Sequence, residues 1–323
     1  MRAGFCAAGM KTFLMRVWSK ISAKITGHPS PAVGARGFLL QCVVAILAPW
    51  TFVIGADSGE SLHFTNAVLF TPARTNTENR IFRFAPLLVF ETAATNLSGR
   101  SPRDKFGAVE TKDGSPRINP KKPTVYAHSH ALAINGQPCE RFSYVWWRPP
   151  LGFNSPMFAQ GLRITATPGG QPLVFEILDT STNSRRIVVA QSLEAAAWQE
   201  FRGLLPGRRF AVEQLNGDAS AEVVSRVIDD GPLELGPVVY LRGGGGGVGT
   251  VICRCMPAQT RSIAATGYYD LVEWTGETNG LLEQAHQQSR IPPLGWSSQM
   301  TNDPGLERLL RLPGRLPGSP GGP

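Results

Sequence analysis

The chain has 323 residues, and its hydrophobic fraction of 42% is enough for a real core although only 17% of the residues are charged. Its 35 glycines and 26 prolines, 61 residues together, favour turns and short strands over long helices. The formal charge of +8 would suit nucleic acid, but residues 1–36 hold six basic and no acidic residues. The rest of the chain balances 26 basic against 24 acidic residues, so we predict no nucleic-acid partner.

The N-terminal segment has the layout of an export signal. After the cationic stretch, residues 37–56 (GFLLQCVVAILAPWTFVIGA) form a 20-residue run without charge. This order is typical of a secretory signal peptide, and Gly55-Ala56 offers a cleavage site before Asp57. An uncleaved anchor is the alternative, because a helix of this length reaches about 30 Å. Both interpretations export the chain after residue 56 to the periplasm, cell envelope or medium, with membrane contact only through this segment.

Residues 57–290 are predicted to form one exported β-rich domain, because short β-branched and aromatic segments alternate there with Gly, Pro, Asn and Asp. Within it, residues 95–123 suggest a long basic loop. The strands predicted after that loop are 124–134, 139–147, 161–167, 172–179, 185–191, 208–214, 221–228, 237–242 and 250–255. We therefore predict a mainly β fold, an antiparallel sandwich or barrel-like sheet.

One or two helices are expected to accompany the sheet. The segment SLEAAAWQEF repeats apolar residues at helical spacing, and Ser192 is its predicted N-cap. A second short helix is predicted at 280–288. Residues 291–323 are rich in Pro and Gly and cannot bury enough apolar surface to fold alone, which predicts a disordered C-terminal tail.

The stretch TVYAHSHALAINGQPCERFSYVWW, residues 124–147, predicts a β-hairpin. Asn135-Gly136 accepts the positive φ angles that a tight hairpin turn requires. Period-two alternation places His128 and His130 on one strand face, about 6.6 Å apart. Two histidines can chelate a metal ion, but a complete site needs further ligands, so we predict that this pair does not bind metal.

Three cysteines follow residue 56, namely Cys139, Cys253 and Cys255. In an oxidising compartment an odd number implies one bridge and one thiol, or no bridge at all. A Cys253–Cys255 bond would be strained, so we predict a bridge from Cys139 to one of the other two. The alternative is a soft-metal site for Zn or Cu(I), whose ligands would be His128, His130, Cys139, Cys253 and Cys255.

The five glycines at 243–247 resemble a phosphate-binding loop only in composition. No lysine follows the last glycine of the motif, and the next residues are strand-like instead of helical. The run therefore predicts a hairpin loop.

No motif identifies an active site, so we predict a protein without catalytic or cofactor-binding residues. It would be an exported binding protein that contacts an envelope protein or a polysaccharide through a β surface. Tyr144, Trp146 and Trp147 are candidates for stacking on sugar rings, although core packing is expected for at least one tryptophan. The alternative function is a metal-binding protein or metal-dependent enzyme that uses His128, His130 and the cysteines.

Overall fold

The computed structural model describes residues 67–91, 105–150, 157–179, 184–202, 222–230, 236–243, 247–252, 263–274, 280–285, 301–310 and 312–318, except residues 75, 77 and 264. All of them belong to the compact unit formed by residues 62–323. Several predicted features lie outside the described residues, namely the export segment 1–56, the strand at 208–214, and Cys253 and Cys255. Across the described ranges, no helix combines the length and apolarity needed to cross a membrane.

Short strands dominate the described part of the chain, as its turn-rich composition predicts. They are β1 (Ala67–Pro72), β2 (Leu87–Glu91), β3 (Ala108–Lys112), β4 (Ser115–Asn119), β5 (Thr124–Ile134), β6 (Gln137–Arg148), β7 (Phe158–Ala166), β8 (Pro172–Asp179), β9 (Ser184–Ala190), β10 (Glu222–Ile228), β11 (Val238–Leu241), β12 (Val248–Ile252) and β13 (Ala265–Glu273). Eleven of these form one sheet in the order β10-β9-β8-β7-β6-β5-β13-β1-β2-β11-β12, and β3 pairs with β4 separately.

The middle of the sheet is an antiparallel meander from β5 to β9. The predicted turn between β5 and β6 is confirmed, with φ angles of 48° at Asn135 and 73° at Gly136. The predicted hairpin between β11 and β12 around the glycine run is also confirmed. The sheet is mixed, because the pairs β1–β13, β5–β13, β2–β11 and β9–β10 are parallel.

The sheet curls into a nearly closed barrel, which confirms the predicted mainly β, barrel-like fold. Arg186 of β9 bridges toward the opposite edge, where its guanidinium donates hydrogen bonds to the carbonyls of Val248 and, at 3.3 Å, Gly249 on β12. These bonds satisfy edge carbonyls that an open sheet would leave to solvent.

The barrel interior is packed with aromatic and aliphatic side chains. The rings of Phe90 and Phe106 stack at 5.2 Å, and Phe70 meets Phe106 edge to face at 5.1 Å. Arg148 is also fully buried there, with its guanidinium 5.2 Å from the centre of the Phe158 ring.

Four helical segments accompany the sheet in the described residues. They are α1 (Arg80–Arg83), α2 (Gln191–Phe201), α3 (280–285) and α4 (Pro304–Leu310). Both predicted helices are therefore present, although 286–288 lie outside the described residues. The predicted N-cap is wrong, because Ser192 lies inside α2. The carboxylate of Asp230 instead accepts hydrogen bonds from the Ser192 backbone N–H (3.2 Å) and hydroxyl (2.9 Å).

Part of the predicted basic loop is a β-hairpin, so that prediction needs correction for residues 105–123. β3 and β4 pair around the turn Asp113-Gly114, whose φ angles are 52° and 73°. An Asp-Gly pair is a strong signal for a tight turn, and the surrounding charge obscured it.

The packed structure also extends beyond residue 290, where the sequence placed the boundary of the domain. Residues 301–318, apart from residue 311, are described and lie against the outer face of the sheet. The segment does not have to fold alone, because its leucines enter a cluster with residues of β5, β6, β8 and β9. The buried leucines are Leu306, Leu310, Leu312 and Leu316.

Candidate functional site

The outward-facing side chains of β5 divide the outer face of the sheet into three zones. From one end of the strand to the other they are Thr124, Tyr126, His128, His130, Leu132 and Ile134. The end that holds Thr124 and Tyr126 borders a surface cavity and is called the open end below. The end that holds Leu132 and Ile134 packs against residues 301–318 and is called the covered end. The two histidines lie between them.

The cavity at the open end, called the groove below, has a volume of about 330 Å³. The outer faces of β5 and β13 contribute to it, together with the β3–β4 hairpin and α3. Its apolar lining comes from Ala108, Val109, Val272, Leu281 and Leu282. Its polar lining comes from Glu110, Lys122, Thr124, Tyr126 and Asp270. Strand pairing fixes these floor residues, because Asp270 is opposite Thr124 and Val272 is opposite Tyr126.

The charges of the β3–β4 wall neutralise each other. The Glu110 carboxylate accepts hydrogen bonds from Lys122 Nζ at 2.8 Å and from Asn119 Nδ2 at 3.0 Å. The bond from Lys122, followed by that from Asn119, lowers the pKa of Glu110. The same partnership raises the pKa of Lys122. Glu110 and Lys122 therefore contribute no net charge to the groove.

Tyr126 and Thr124 anchor the groove floor to its wall. The Tyr126 hydroxyl accepts a hydrogen bond of 2.9 Å from the backbone N–H of Val109. Burial raises the pKa of Tyr126, so its phenol stays protonated at neutral pH. The Thr124 hydroxyl donates to the carbonyl of Lys122 at 2.9 Å. These bonds fix the position of the hairpin over the sheet.

Asp270 is the exposed carboxylate of the groove. Its backbone N–H donates to the carbonyl of Pro123, but no side chain among the described residues pairs with its carboxylate. Tyr268 is two residues away on the same strand face and is 66% exposed. The sequence reasoning missed both residues because it did not predict β13. The available signal was the alternation in ATGYYDLVE, where Gly267 and Tyr269 face inward.

His128 and His130 occupy the shared face that the sequence predicts. Their rings stack with centroids 5.7 Å apart. Burial lowers the pKa of both histidines; for His130, with the nearby positive charge of Arg141 adding to the effect, the pKa falls to about 4. Both imidazoles are therefore neutral at pH 7.

A buried charge network separates the histidines from the covered end. Arg141 lies opposite His130, and its guanidinium is 3.0 Å from the carboxylate of Asp303 and 3.8 Å from that of Glu176. Arg163 is 3.5 Å from Glu176 on the neighbouring strand. These four side chains contribute two positive and two negative charges to the described part of the network.

Asp303 ties this network to the C-terminal segment. One carboxylate oxygen pairs with Arg141, and the other accepts the backbone N–H of Leu306 at 2.9 Å, which caps α4. The backbone of the segment also pairs with β5, since the N–H of Ala133 donates to the carbonyl of Thr301 at 2.8 Å. The side-chain amide of Asn135 donates to the carbonyl of Leu312 at 2.8 Å. The covered end is thus closed by both charge and hydrogen bonds.

Cys139 carries a free, buried thiol, so the predicted bridge from Cys139 to Cys253 or Cys255 is wrong. β6 and β12 are not neighbours in the sheet, because β5, β13, β1, β2 and β11 lie between them. Burial among aliphatic side chains raises the pKa of Cys139 to about 11. The thiol is therefore protonated at neutral pH.

The residues of the predicted metal alternative are not brought together in the described part of the molecule. Cys139 shares the outer face with His128 and His130, but it belongs to the leucine cluster, and Arg141 is the residue opposite His130. Among the described residues, no three His, Cys, Asp or Glu side chains are grouped so that they could share a metal ion.

Tyr144, Trp146 and Trp147 are all fully buried, so none of them is exposed for sugar stacking. The Tyr144 hydroxyl donates to the carbonyl of Ile81 at 2.8 Å, and Trp146 Nε1 donates to Gln160 Oε1 at 3.1 Å. The expectation of a core tryptophan is confirmed. The exposed aromatic residue beside the groove is Tyr268.

No protein-family model, curated protein or solved structure matches this chain. The geometry of the groove and of the outer face is therefore the basis for proposing a function.

Proposed function

We propose that this protein is a non-catalytic binding protein whose ligand occupies the groove at the open end of β5. The observation that carries this proposal is the open cavity of about 330 Å³, in which an apolar lining surrounds a few polar groups. Ligand sites in proteins commonly combine these features, because apolar contacts supply affinity and a few polar groups set orientation.

The groove residues are held in place by the fold, which favours binding of a ligand. Its floor residues belong to paired strands, and the Val109–Tyr126 hydrogen bond positions the hairpin wall. A site held by strands keeps its geometry better than one built on loops alone. The groove therefore offers a ligand a largely preformed surface.

The polar groups of the groove suit binding better than bond cleavage. Glu110 is engaged by Lys122 and Asn119, and the Thr124 hydroxyl already donates to a carbonyl. Acid–base chemistry on a sugar, for example, requires two carboxyl groups with distinct roles. Asp270 has no such second carboxylate free in the described lining.

We further propose that the protein works after export and that its partner is an envelope protein or a polysaccharide. The cationic residues 2–36 and the uncharged run 37–56 support export. Fusing alkaline phosphatase after residue 66 tests it, since this enzyme becomes active only in an oxidising compartment. An active fusion is expected, and a cytosolic, inactive one would contradict export.

The binding role is tested by filling the groove. Val272→Trp places an indole in the cavity, whereas Ala195→Trp adds the same group to an exposed position of α2. Thermal unfolding is measured with a panel of envelope oligosaccharides and short peptides. We expect at least one compound to stabilise the wild type and Ala195→Trp but not Val272→Trp. Compounds that stabilise all three proteins equally would show that the groove is not the site.

A further inference from the structure

We infer that the groove binds an alkylammonium group, a primary amine carried on an aliphatic chain, and this inference rests on the proposed binding role. Three features support it. They are the single uncompensated charge of the groove lining, an exposed aromatic ring that is next to this charge but outside the lining, and the apolar residues of the lining.

The charge of the groove selects a cation. Among its lining residues Asp270 and Glu110 are acidic and Lys122 is basic, and Glu110 pairs with Lys122 at 2.8 Å. The Asp270 carboxylate is left without a side-chain partner among the described residues. A ligand cation would complete that pair, and a charge-assisted hydrogen bond from an ammonium group is stronger than one from a neutral donor.

The aromatic neighbour favours an ammonium group further. Tyr268 and Asp270 are two residues apart on one face of β13, so their Cα atoms are about 6.6 Å apart. Tyr268 is 66% exposed, and its ring is therefore accessible to a ligand that contacts Asp270. A cation within about 6 Å of a tyrosine ring is attracted by the negative face of the ring. Tyr268 lies outside the groove lining, so it would act on an ammonium group at Asp270 from the rim of the groove.

The apolar lining of the groove fits the aliphatic chain that carries the amine. Val109, Val272 and Leu282 present apolar surface around the polar centre. Burial of methylene groups against these residues is favourable, so a short alkyl chain suits this lining. The protonated Tyr126 phenol adds a hydrogen-bonding group at the floor without adding charge.

Saturation-transfer NMR on the full chain tests this inference with hexylamine, which is charged at pH 7, and with the neutral hexanol of equal chain length. We expect hexylamine to bind about tenfold more tightly than hexanol, as one charge-assisted contact allows. Asp270→Asn should remove that preference. Asp113→Asn makes the same chemical change at the exposed hairpin turn, outside the groove lining, and should keep it.

The outcomes separate the inference from the proposed function. Equal affinity for hexylamine and hexanol, or a preference that survives Asp270→Asn, would overturn the alkylammonium inference and leave a binding groove in place. If hexylamine does not bind, or binds equally well to Val272→Trp, the alkylammonium inference is overturned. The proposed binding role is overturned only if the compounds of the thermal-unfolding test also fail to distinguish Val272→Trp from the wild type. N-acetyl-lysine-N-methylamide and cadaverine then distinguish the source of the amine, since the first represents a lysine of a protein partner and the second a free diamine.

Discussion

At the covered end of β5, Leu132 and Ile134 share a buried cluster with leucines of residues 301–318, whereas at the open end Thr124 and Tyr126 border the groove. The two ends belong to the same strand and the same face of the sheet. The covered end is closed by the chain itself, and the hairpin and α3 only partly enclose the open end. The contrast shows that one face of one strand is covered by the chain's own residues at one end and borders an open groove at the other.

The difference between the ends follows from the residues that face them. Residues 301–318 bring buried leucines and the Asp303 carboxylate, which pairs with Arg141. The hairpin brings Glu110 and the turn that follows it brings Lys122, and these two side chains pair with each other at the groove wall. Burying these charged groups would cost free energy, so they stay in contact with water and the wall does not close over the floor of the groove.

The largest effect is expected from removing the Asp303 carboxylate, which ties residues 301–318 to Arg141 at the covered end. Asp303→Asn keeps an oxygen that can cap α4. It removes the nearer carboxylate from Arg141, whose remaining acidic partner is Glu176 at 3.8 Å. We expect the free energy of unfolding to fall by about 3 kcal/mol or more, because a buried charge loses its partner. Urea denaturation measures this loss. Asp229→Asn at an exposed position is the control and should change stability by less than about 0.5 kcal/mol.

Truncating one leucine at each end compares their packing directly. Leu306 is fully buried at the covered end, and Leu281 is partly exposed beside the groove. We expect Leu306→Ala to cost about 2–5 kcal/mol, through lost burial and the resulting cavity. Leu281→Ala should cost roughly 1 kcal/mol or less, because solvent already reaches its side chain. Equal losses in chemical denaturation would show that the groove is closed in solution.

Acid should weaken the protein through the histidines between the two ends. Burial, followed by the charge of Arg141, lowers the pKa of His130 from 6.5 to about 4. The unfolded chain therefore binds a proton at this residue at higher pH than the folded chain does. Stability is lost as the pH falls from 6.5 to 4.

Because His130 is partly exposed, we expect its share of the acid effect to be about 1–2 kcal/mol. The free energy of unfolding is measured at pH 7 and pH 4.5 for the wild type and for His130→Gln. The variant should lose less stability than the wild type over this range. An identical loss in both proteins would show that His130 titrates normally in the folded state.

Effects of similarly small size are expected at the two tight turns. Gly136 near the covered end and Gly114 near the open end both have a φ of +73°, and an added Cβ would meet no atom within 4 Å at either position. Alanine should therefore cost about 1–2 kcal/mol at each through backbone strain alone. Gly280→Ala, in helical backbone, is the control and should be neutral or slightly stabilising. A much larger loss at Gly136 would reveal an additional role for that turn in holding residues 301–318.

The β5–β6 hairpin could be predicted from the sequence, because alternation and the turn residues Asn135-Gly136 are local signals. β13 could not be placed, since its parallel partners β1 and β5 come from distant parts of the chain. The extent of the packed C-terminal part was underestimated for a similar reason. Leu306 and Leu310 have helical spacing, but the surface that buries them is formed by residues more than a hundred positions earlier.

Little of the candidate site could be predicted from the sequence. His128 and His130 stood out because histidine pairs are rare in this chain, and the structure places them on the predicted face. Asp270 gave no signal, because one carboxylate in a strand is ordinary until its neighbours are known. The groove exists only where β13 meets β5 under the hairpin, and this meeting is a property of the tertiary fold.

The most direct test of the account is a map of where an amine binds along β5. Backbone amide signals of the isotope-labelled full chain are followed by NMR while hexylamine is added at pH 7. We predict that the shifts concentrate at residues 124–126 and 270–272, and that residues 132–134 and 301–318 stay unchanged. Shifts centred on residues 132–134, or displacement of the C-terminal segment, would contradict the assignment of the groove as the ligand site.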